Sequence, residues 1–249
     1  HLTIWDKGEV VELTPPHDVL GQVIGQYLPK TEALREMMKK SYDILSNHPI
    51  NVERMKKGLN PANSIWFWGA GTRPALAPFV EKTGHTGAMI SAVDLLKGIA
   101  VGADMKVVEV EGANGGLDTN YEGKADAAVE ALLKDDLDFA YIHLEAPDEM
   151  GHQGSFERKV QAIENLDKRI IKRVTEQLEA AGTDFRMLVL PDHPTPVAIR
   201  THVSDPVPYM LYDSTNKQSH TWNYNEKEAQ ESGNYIDKGY TIINHLFEK

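Results

Sequence analysis

The stretch that decides the fold opens with Phe139-Ala140-Tyr141-Ile142-His143-Leu144, a largely apolar run that predicts a buried strand. A long helix is predicted after it, from Phe156 to Ala181, because apolar residues recur there at three- and four-residue spacing and Gly182 follows as a stop. A second apolar run, Arg186 to Leu190, comes next. Strand, helix and strand in this order predict a βαβ unit with parallel strands.

The same alternation extends from this unit in both directions. Further strands are predicted at residues 64–68, 87–93, 106–110 and 207–212, and further helices at 30–47, 95–103, 123–134 and from Gly239 onward. The first 30 residues are strand- and turn-like, with two adjacent prolines in a rigid turn. We therefore predict an α/β fold with a mostly parallel sheet sandwiched by helices.

Composition and charge exclude several classes of function. The 249 residues carry 26 Lys and Arg against 37 Asp and Glu, a formal net charge of −11. An acidic chain lacks the basic face that nucleic-acid or anionic-membrane binding requires, so neither partner is expected. The sequence has no apolar run long enough for a transmembrane helix. The absence of cysteine fits a reducing cytoplasm, which is the expected location.

Polar residues with metal-ligand chemistry follow two of the predicted strands. Asp148 and His152 stand four residues apart after the first strand of the unit, and Asp192-His193 directly follows the second. His202 precedes another predicted strand. Because ligands bind beyond the carboxyl ends of parallel strands, these side chains are candidate ligands of divalent cations. A capped helix start, an Asx turn and a polar loop histidine are the plainer interpretations of the same residues.

Three ordered segments carry a family resemblance. They are Ala146-Pro147-Asp148-Glu149-Met150-Gly151-His152, then Pro191-Asp192-His193-Pro194-Thr195-Pro196, then Arg200-Thr201-His202-Val203-Ser204-Asp205-Pro206-Val207-Pro208. They resemble the cofactor-independent phosphoglycerate mutases of archaeal type, which belong to the alkaline phosphatase superfamily. Residues 14–18, 90–98 and 117–124 also look like segments of that family, so the resemblance covers essentially the whole chain.

The resemblance implies a fold, a reaction and two metal sites. The fold would be alkaline phosphatase-like, and the reaction would interconvert 3- and 2-phosphoglycerate, a small-molecule substrate, through a phosphoserine. Asp148, His152 and His202 would hold one cation, and Asp192 and His193 would hold the second. The metals would be manganese or magnesium, with zinc or cobalt as alternatives. The sequence leaves the oligomeric state open.

The resemblance also implies a serine nucleophile early in the catalytic domain, and the candidates in this chain do not fit it. Ser41, Ser46 and Ser64 stand in a predicted helix, at its end and at the start of a predicted strand. We therefore expect the nucleophile upstream of His1, and we expect residues 1–249 to be the carboxyl-terminal portion of such an enzyme and inactive alone. Residues 1–58 would be the remnant of an inserted α+β cap domain with its hinge, and residues 59–249 an incomplete phosphatase-like domain.

Four further residues are candidates for contact with the substrate. They are Lys97, His17, Arg73 and Arg200. A solvated helix lysine, a turn histidine and two surface arginines are the plainer interpretations. Other activities also stay open at this point. These are a different phosphotransferase or phosphatase of the superfamily, including a homoserine-kinase-like role, or a non-catalytic metal-binding fragment.

Overall fold

A computed structural model describes residues 10–19, 21–217 and 221–248, with the side chain of His17 left out. The chain folds as two compact units, residues 1–74 and residues 75–249. The expected boundary between residues 58 and 59, with its cap-domain assignment, stays a prediction. No helix among the described residues is long and apolar enough to cross a membrane.

The described residues of the first unit form two helices and two short turns. Helix α1 spans Glu32–Leu45 and helix α2 spans Pro49–Lys56, while 3₁₀ turns occupy Pro16–Val19 and Ile24–Tyr27. The prediction of turns before residue 30 is confirmed, but the described residues of this segment form no strand.

The predicted strand at residues 64–68 is wrong, and side chains of the two helices explain the difference. The backbone N–H of Ile65 donates to Ser41 Oγ at 3.0 Å, and the Asn51 side chain exchanges hydrogen bonds with both backbone groups of Ala62. The indole of Trp66 donates to the carbonyl of Thr14 at 2.8 Å. The Ile65 N–H and both backbone groups of nearby Ala62 are therefore bonded to side chains, and among the described residues this segment pairs with no strand.

The second unit contains a three-stranded parallel sheet, as predicted. Its order is β2-β1-β3, with β1 at Gly87–Ile90, β2 at Lys106–Val107 and β3 at Phe139–Ile142. The register pairs Gly87 with Phe139 and Ile90 with Ile142. Helix α4 (Asp94–Gly102) links β1 to β2, and helix α5 (Tyr121–Leu133) links β2 to β3. These crossovers place the carboxyl ends of β1 and β3 side by side.

A second, antiparallel pair of strands lies apart from the parallel sheet. Strands β4 (Arg186–Val189) and β5 (Met210–Asp213) pair with Leu188 opposite Leu211. The predicted strands at residues 186–190 and 207–212 are therefore confirmed in place, but among the described residues neither pairs with the parallel sheet. The parallel pairing predicted for the unit of residues 139–144 and 186–190 is wrong, because β4 pairs with β5 instead. A parallel strand would need a crossover helix to bring the chain back to the end of the sheet where β4 begins. Residues 190–209 contain no helix, so β5 runs antiparallel to β4.

The long predicted helix forms in three parts. Helix α7 (Phe156–Asn165) continues through a π-helical segment, Leu166–Ile171, into helix α8 (Lys172–Ala180), and Gly182 ends it with a φ of +68°. Its apolar face packs with α5 and with helix α6 (Ala146–His152) in the main core. Helix α3 (Phe79–Thr83) precedes β1. The described chain ends with helices α9 (Glu226–Glu231) and α10 (Ile242–Phe247), the last preceded by a 3₁₀ turn at Gly239–Thr241.

Candidate metal centre

Three predicted ligands from two segments converge in the second unit. Asp148 and His152 lie one turn apart on α6, so both project from the same face of the helix. His202 comes from the loop between β4 and β5. Its Nε2 lies 3.3 Å from Asp148 Oδ1, and His152 Nε2 lies 3.3 Å from Asp148 Oδ2. One candidate ligand atom from each residue lies within 4.8 Å of the others, which is the spacing a shared cation requires.

The tautomer of His152 suits a ligand role. Its Nδ1 lies 3.0 Å from the carbonyl oxygen of Arg200, and a carbonyl only accepts, so Nδ1 carries the proton. Nε2 is then left with a lone pair, and it lies 3.1 Å from His202 Nε2. Arg200 adopts a left-handed φ of +61°, and its carbonyl faces His152 on α6. A backbone hydrogen bond of this kind is how proteins orient an imidazole for a metal.

The second predicted pair lies beside the first cluster. His193 Nε2 is 3.4 Å from Asp192 Oδ2, and His193 Nδ1 is 4.0 Å from Asp148 Oδ1. The rings of His193 and His202 lie with their centroids 3.7 Å apart and their planes tilted by 33°. All five predicted ligands therefore gather in one region, although only the first three share a common point at ligand spacing.

Sequence reasoning missed three residues that hold this region together. Thr195 is only 3% exposed, and its hydroxyl donates to Asp148 Oδ1. Lys159 of α7 donates from Nζ to the Thr195 carbonyl at 2.6 Å. Burial lowers the pKa of Lys159, and the nearby carboxylates of Asp148 and Glu226 oppose that shift. Gly151 lets the loop approach α6, because a Cβ there would lie 2.4 Å from the Thr195 carbonyl oxygen.

A second polar cluster lies at the carboxyl ends of β1 and β3, just before α6 begins. The fully buried ammonium of Lys124 donates to the His143 carbonyl at 3.1 Å, and burial lowers the pKa of Lys124 against the opposing charge of Glu145. His143 Nδ1 lies 3.4 Å from Ser91 Oγ and 3.6 Å from Glu145 Oε1. Within the described residues that carboxylate oxygen has no hydrogen-bond partner. Charged groups of Lys124 and Glu145 are therefore buried next to the start of α6, the helix that carries two of the candidate ligands.

The four candidate substrate-binding residues are scattered. Lys97 is committed to an ion pair with Glu109, whose oxygens lie 2.7 and 2.9 Å from its Nζ. The guanidinium of Arg200 packs over Gly154, where a Cβ would lie 2.3 Å from Nε. Arg73 lies in an exposed loop of the first unit, and the side chain of His17 falls outside what the structure describes. Their roles toward a substrate stay predictions.

The comparison with protein families decides the family. The family model for the Metalloenzyme superfamily matches residues 21–248, nearly the whole chain. The chain belongs to the Metalloenzyme superfamily. Membership implies binding of divalent metal, and the cluster of Asp148, His152 and His202 is where the structure brings suitable ligands together.

Curated relatives in this superfamily are phosphoglycerate mutases by name. A 2,3-bisphosphoglycerate-independent phosphoglycerate mutase from Methanosarcina barkeri is 48% identical over 229 residues, covering 91% of this chain and 57% of the relative. A protein from Geobacter sulfurreducens named as a probable enzyme of the same kind is 44% identical over 254 residues, covering 100% of this chain and 63% of the relative. The chain therefore spans about three-fifths of the length of these relatives.

Solved structures support the same fold. A protein structure from Pyrococcus horikoshii matches with a TM-score of 0.66 and 33% identity, over 80% of this chain and 51% of that one. The cofactor-independent phosphoglycerate mutase from Thermoplasma acidophilum matches with a TM-score of 0.50 and 26% identity, over 87% of this chain and 51% of that one. The predicted α/β, alkaline phosphatase-like fold is confirmed for a Metalloenzyme superfamily member.

Proposed function

We propose that a protein carrying these residues interconverts 3-phosphoglycerate and 2-phosphoglycerate, with a divalent cation held by Asp148, His152 and His202. The observation that carries the proposal is the convergence of these three side chains to within 4.8 Å of one another. The names of relatives that are 44% and 48% identical supply the substrate class. The substrate is then a small phosphorylated acid and not a nucleic acid or a lipid surface, in keeping with a net charge of −11.

The donor set fits a catalytic cation better than a structural one. One carboxylate and two imidazoles suit manganese, zinc or cobalt, and magnesium is the further candidate if water completes its preferred oxygen coordination. Structural zinc sites prefer cysteine, which this chain lacks. We further propose that Asp192 and His193 hold a second cation. A pair of such ions neutralises phosphoryl oxygens and lowers the pKa of an attacking hydroxyl.

The residues around the cluster prepare it for that task. The Arg200 carbonyl fixes the proton of His152 on Nδ1, so its lone pair faces the other ligands. Half-buried Lys159 brings positive charge close to Asp148, whose charge influences its pKa. Fully buried Lys124 places a second ammonium near Glu145. An anionic substrate approaching a chain of net charge −11 depends on such local cations.

We propose that the nucleophile lies upstream of His1. Within residues 10–19, 21–217 and 221–248, no serine hydroxyl forms a hydrogen bond with Asp148, His152 or His202. Ser91, the buried serine at the end of β1, is engaged instead by Val93 N–H and lies near His143. Residues 1–249 alone are then a metal-binding unit without phosphoserine chemistry. A cytoplasmic location completes the proposal, since no cysteine is present.

The test is an assay on the protein at the length of its curated relatives. With Mn²⁺ present it should convert 3-phosphoglycerate to 2-phosphoglycerate, and Asp148→Ala should remove that turnover. Turnover of another phosphate ester without conversion of 3-phosphoglycerate would contradict the mutase and favour another phosphotransferase. Residues 1–249 alone should show no turnover, and robust turnover abolished by Asp148→Ala would refute the proposed origin of the nucleophile.

A further inference from the structure

One buried hydroxyl contacts a ligand from each of the two proposed metal sites. Thr195 donates its single hydroxyl proton to Asp148 Oδ1. Its oxygen also lies 3.4 Å from His193 Nδ1, and since the hydroxyl proton is already used, Nδ1–H must be the donor in that contact. Thr195 thus lies between Asp148 of the first site and His193 of the second.

The contact with His193 sets the tautomer of that ring. With the proton on Nδ1, the lone pair stands on Nε2, the atom that lies 3.4 Å from Asp192 Oδ2. The same tautomer is set in His152 by the Arg200 carbonyl. Both histidines therefore turn Nε2 toward the acidic groups of their own site.

The position of Thr195 is itself fixed by two neighbours. The Lys159 ammonium holds its carbonyl at 2.6 Å, and the missing Cβ of Gly151 lets that carbonyl and the Thr195 methyl lie against α6. A hydroxyl that is 3% exposed and held at its backbone has little freedom to turn away.

We propose that Thr195 is a positioning residue shared by both metal sites, which orients the carboxylate of Asp148 and the ring of His193 before a cation binds. The inference rests on the proposed metal-binding function. Outer-sphere partners of this kind typically contribute about 10- to 100-fold to metal affinity. Removing the hydroxyl leaves Asp148 Oδ1 without its donor and His193 Nδ1 without its acceptor.

The test is Mn²⁺ affinity, measured by isothermal titration calorimetry on residues 1–249. Thr195→Val should raise Kd by about tenfold or more, while Thr195→Ser, which keeps the hydroxyl, should stay close to wild type. The matched control is Thr215→Val. Thr215 also donates its hydroxyl to an aspartate oxygen, Asp213 Oδ1 at 2.6 Å, but it lies outside the proposed metal site. The Kd of this variant should not change.

His202→Ala separates failure of the inference from failure of the proposed function. If wild type binds Mn²⁺ and His202→Ala does not, the metal site stands, and a Thr195→Val affinity equal to wild type then overturns the positioning role. If wild type binds no Mn²⁺, the metal-binding function itself fails and the inference falls with it.

A measurement on the wild-type chain covers the case in which Thr195→Val does not fold. The ¹⁵N shifts of the His193 ring in the metal-free protein report which ring nitrogen carries the proton. We expect His193 in the Nδ1-protonated form. The Nε2-protonated form would overturn the inference, since Thr195 would then have no proton to accept.

Discussion

At the scale of single residues, the site depends on a glycine as much as on its ligands. Gly151 lies on α6 between Asp148 and His152, and a Cβ there would meet a backbone carbonyl at 2.4 Å. Backbone atoms cannot give way as the end of a flexible side chain can. The close approach of the Thr195 loop to α6 therefore requires a residue without a side chain at this position.

Replacing this glycine by alanine gives a sharp prediction. Gly151→Ala should destabilise the chain by about 1–3 kcal/mol, as overpacking of a close contact does, and should weaken metal binding by displacing the loop. The matched control is Gly98→Ala in α4, where a Cβ meets nothing within 4 Å. That change should stabilise the chain by about 0.4–1 kcal/mol. Urea denaturation measures both, and a Gly151→Ala variant as stable as Gly98→Ala would contradict the account.

The convergence of the candidate ligands is predictable from the sequence, but the residues that support them are not. Asp148 and His152 stand at the i and i+4 positions of one helix, so their convergence follows from helical geometry alone. His202 was placed through family resemblance. Thr195 and Lys159 have no such signal, because a threonine between prolines and a lysine on an amphipathic helix are ordinary features. Their role arises only where the loop meets α6.

At the scale of elements, an ion pair between Arg186 of β4 and Asp213 of β5 should make the stability of this strand pair depend on pH. Asp213 accepts hydrogen bonds from Thr215 and from Arg186, and these hold its pKa at about 2, below the ordinary 3.8. A lowered carboxyl pKa contributes stability that is present above 3.8 and is lost as the pH falls toward about 2.

This ion pair predicts how one variant responds to acid. Asp213→Asn should lower the free energy of unfolding at pH 7, and the gap to wild type should narrow as the pH falls from 5 to 3. Chemical denaturation at several pH values measures it. Thr215→Val removes the largest cause of the pKa shift, so its Asp213 should titrate at a higher pH. A gap that is constant between pH 5 and 3 would contradict this explanation.

The strands β4 and β5 also show where the prediction of secondary structure and sheet topology from sequence fails. Strands β1 and β3 and the helices α1, α4, α5, α7–α8 and α10 follow from apolar periodicity and are predicted to within a few residues. The short helices α2, α3, α6 and α9 are not predicted. The direction of β5 is not predicted either, because strand direction depends on whether a helix fills the connection. Residues 64–68 also misled, since the apolar run Ile65 to Trp68 has the composition of a strand but hydrogen-bonds with side chains.

At the scale of the whole molecule, the division into residues 1–74 and 75–249 predicts a site of cleavage. Residues 69–77 are exposed and carry no helix or strand. Brief digestion with proteinase K should cut there first, because the backbone of this described segment is exposed and lies outside any helix or strand. Mass spectrometry of the first products measures it. First cuts inside α5 or α7 would contradict the division. Trypsin is unsuitable, since Pro74 follows Arg73.

The central claim is that the side chains of Asp148, His152 and His202 form a divalent metal site. The most direct test is a Mn²⁺ titration followed by electron paramagnetic resonance, on wild type, His152→Ala and His245→Ala. His245 is the matched histidine, because it lies on α10, outside the site, and its Nδ1 is 3.1 Å from Glu248 Oε2. The account predicts that wild type and His245→Ala bind Mn²⁺ with equal affinity. His152→Ala should lower the Mn²⁺ affinity by at least about tenfold, which is the loss expected when a residue that only supports a ligand is removed. Equal binding by all three proteins, or no binding by wild type, would contradict it.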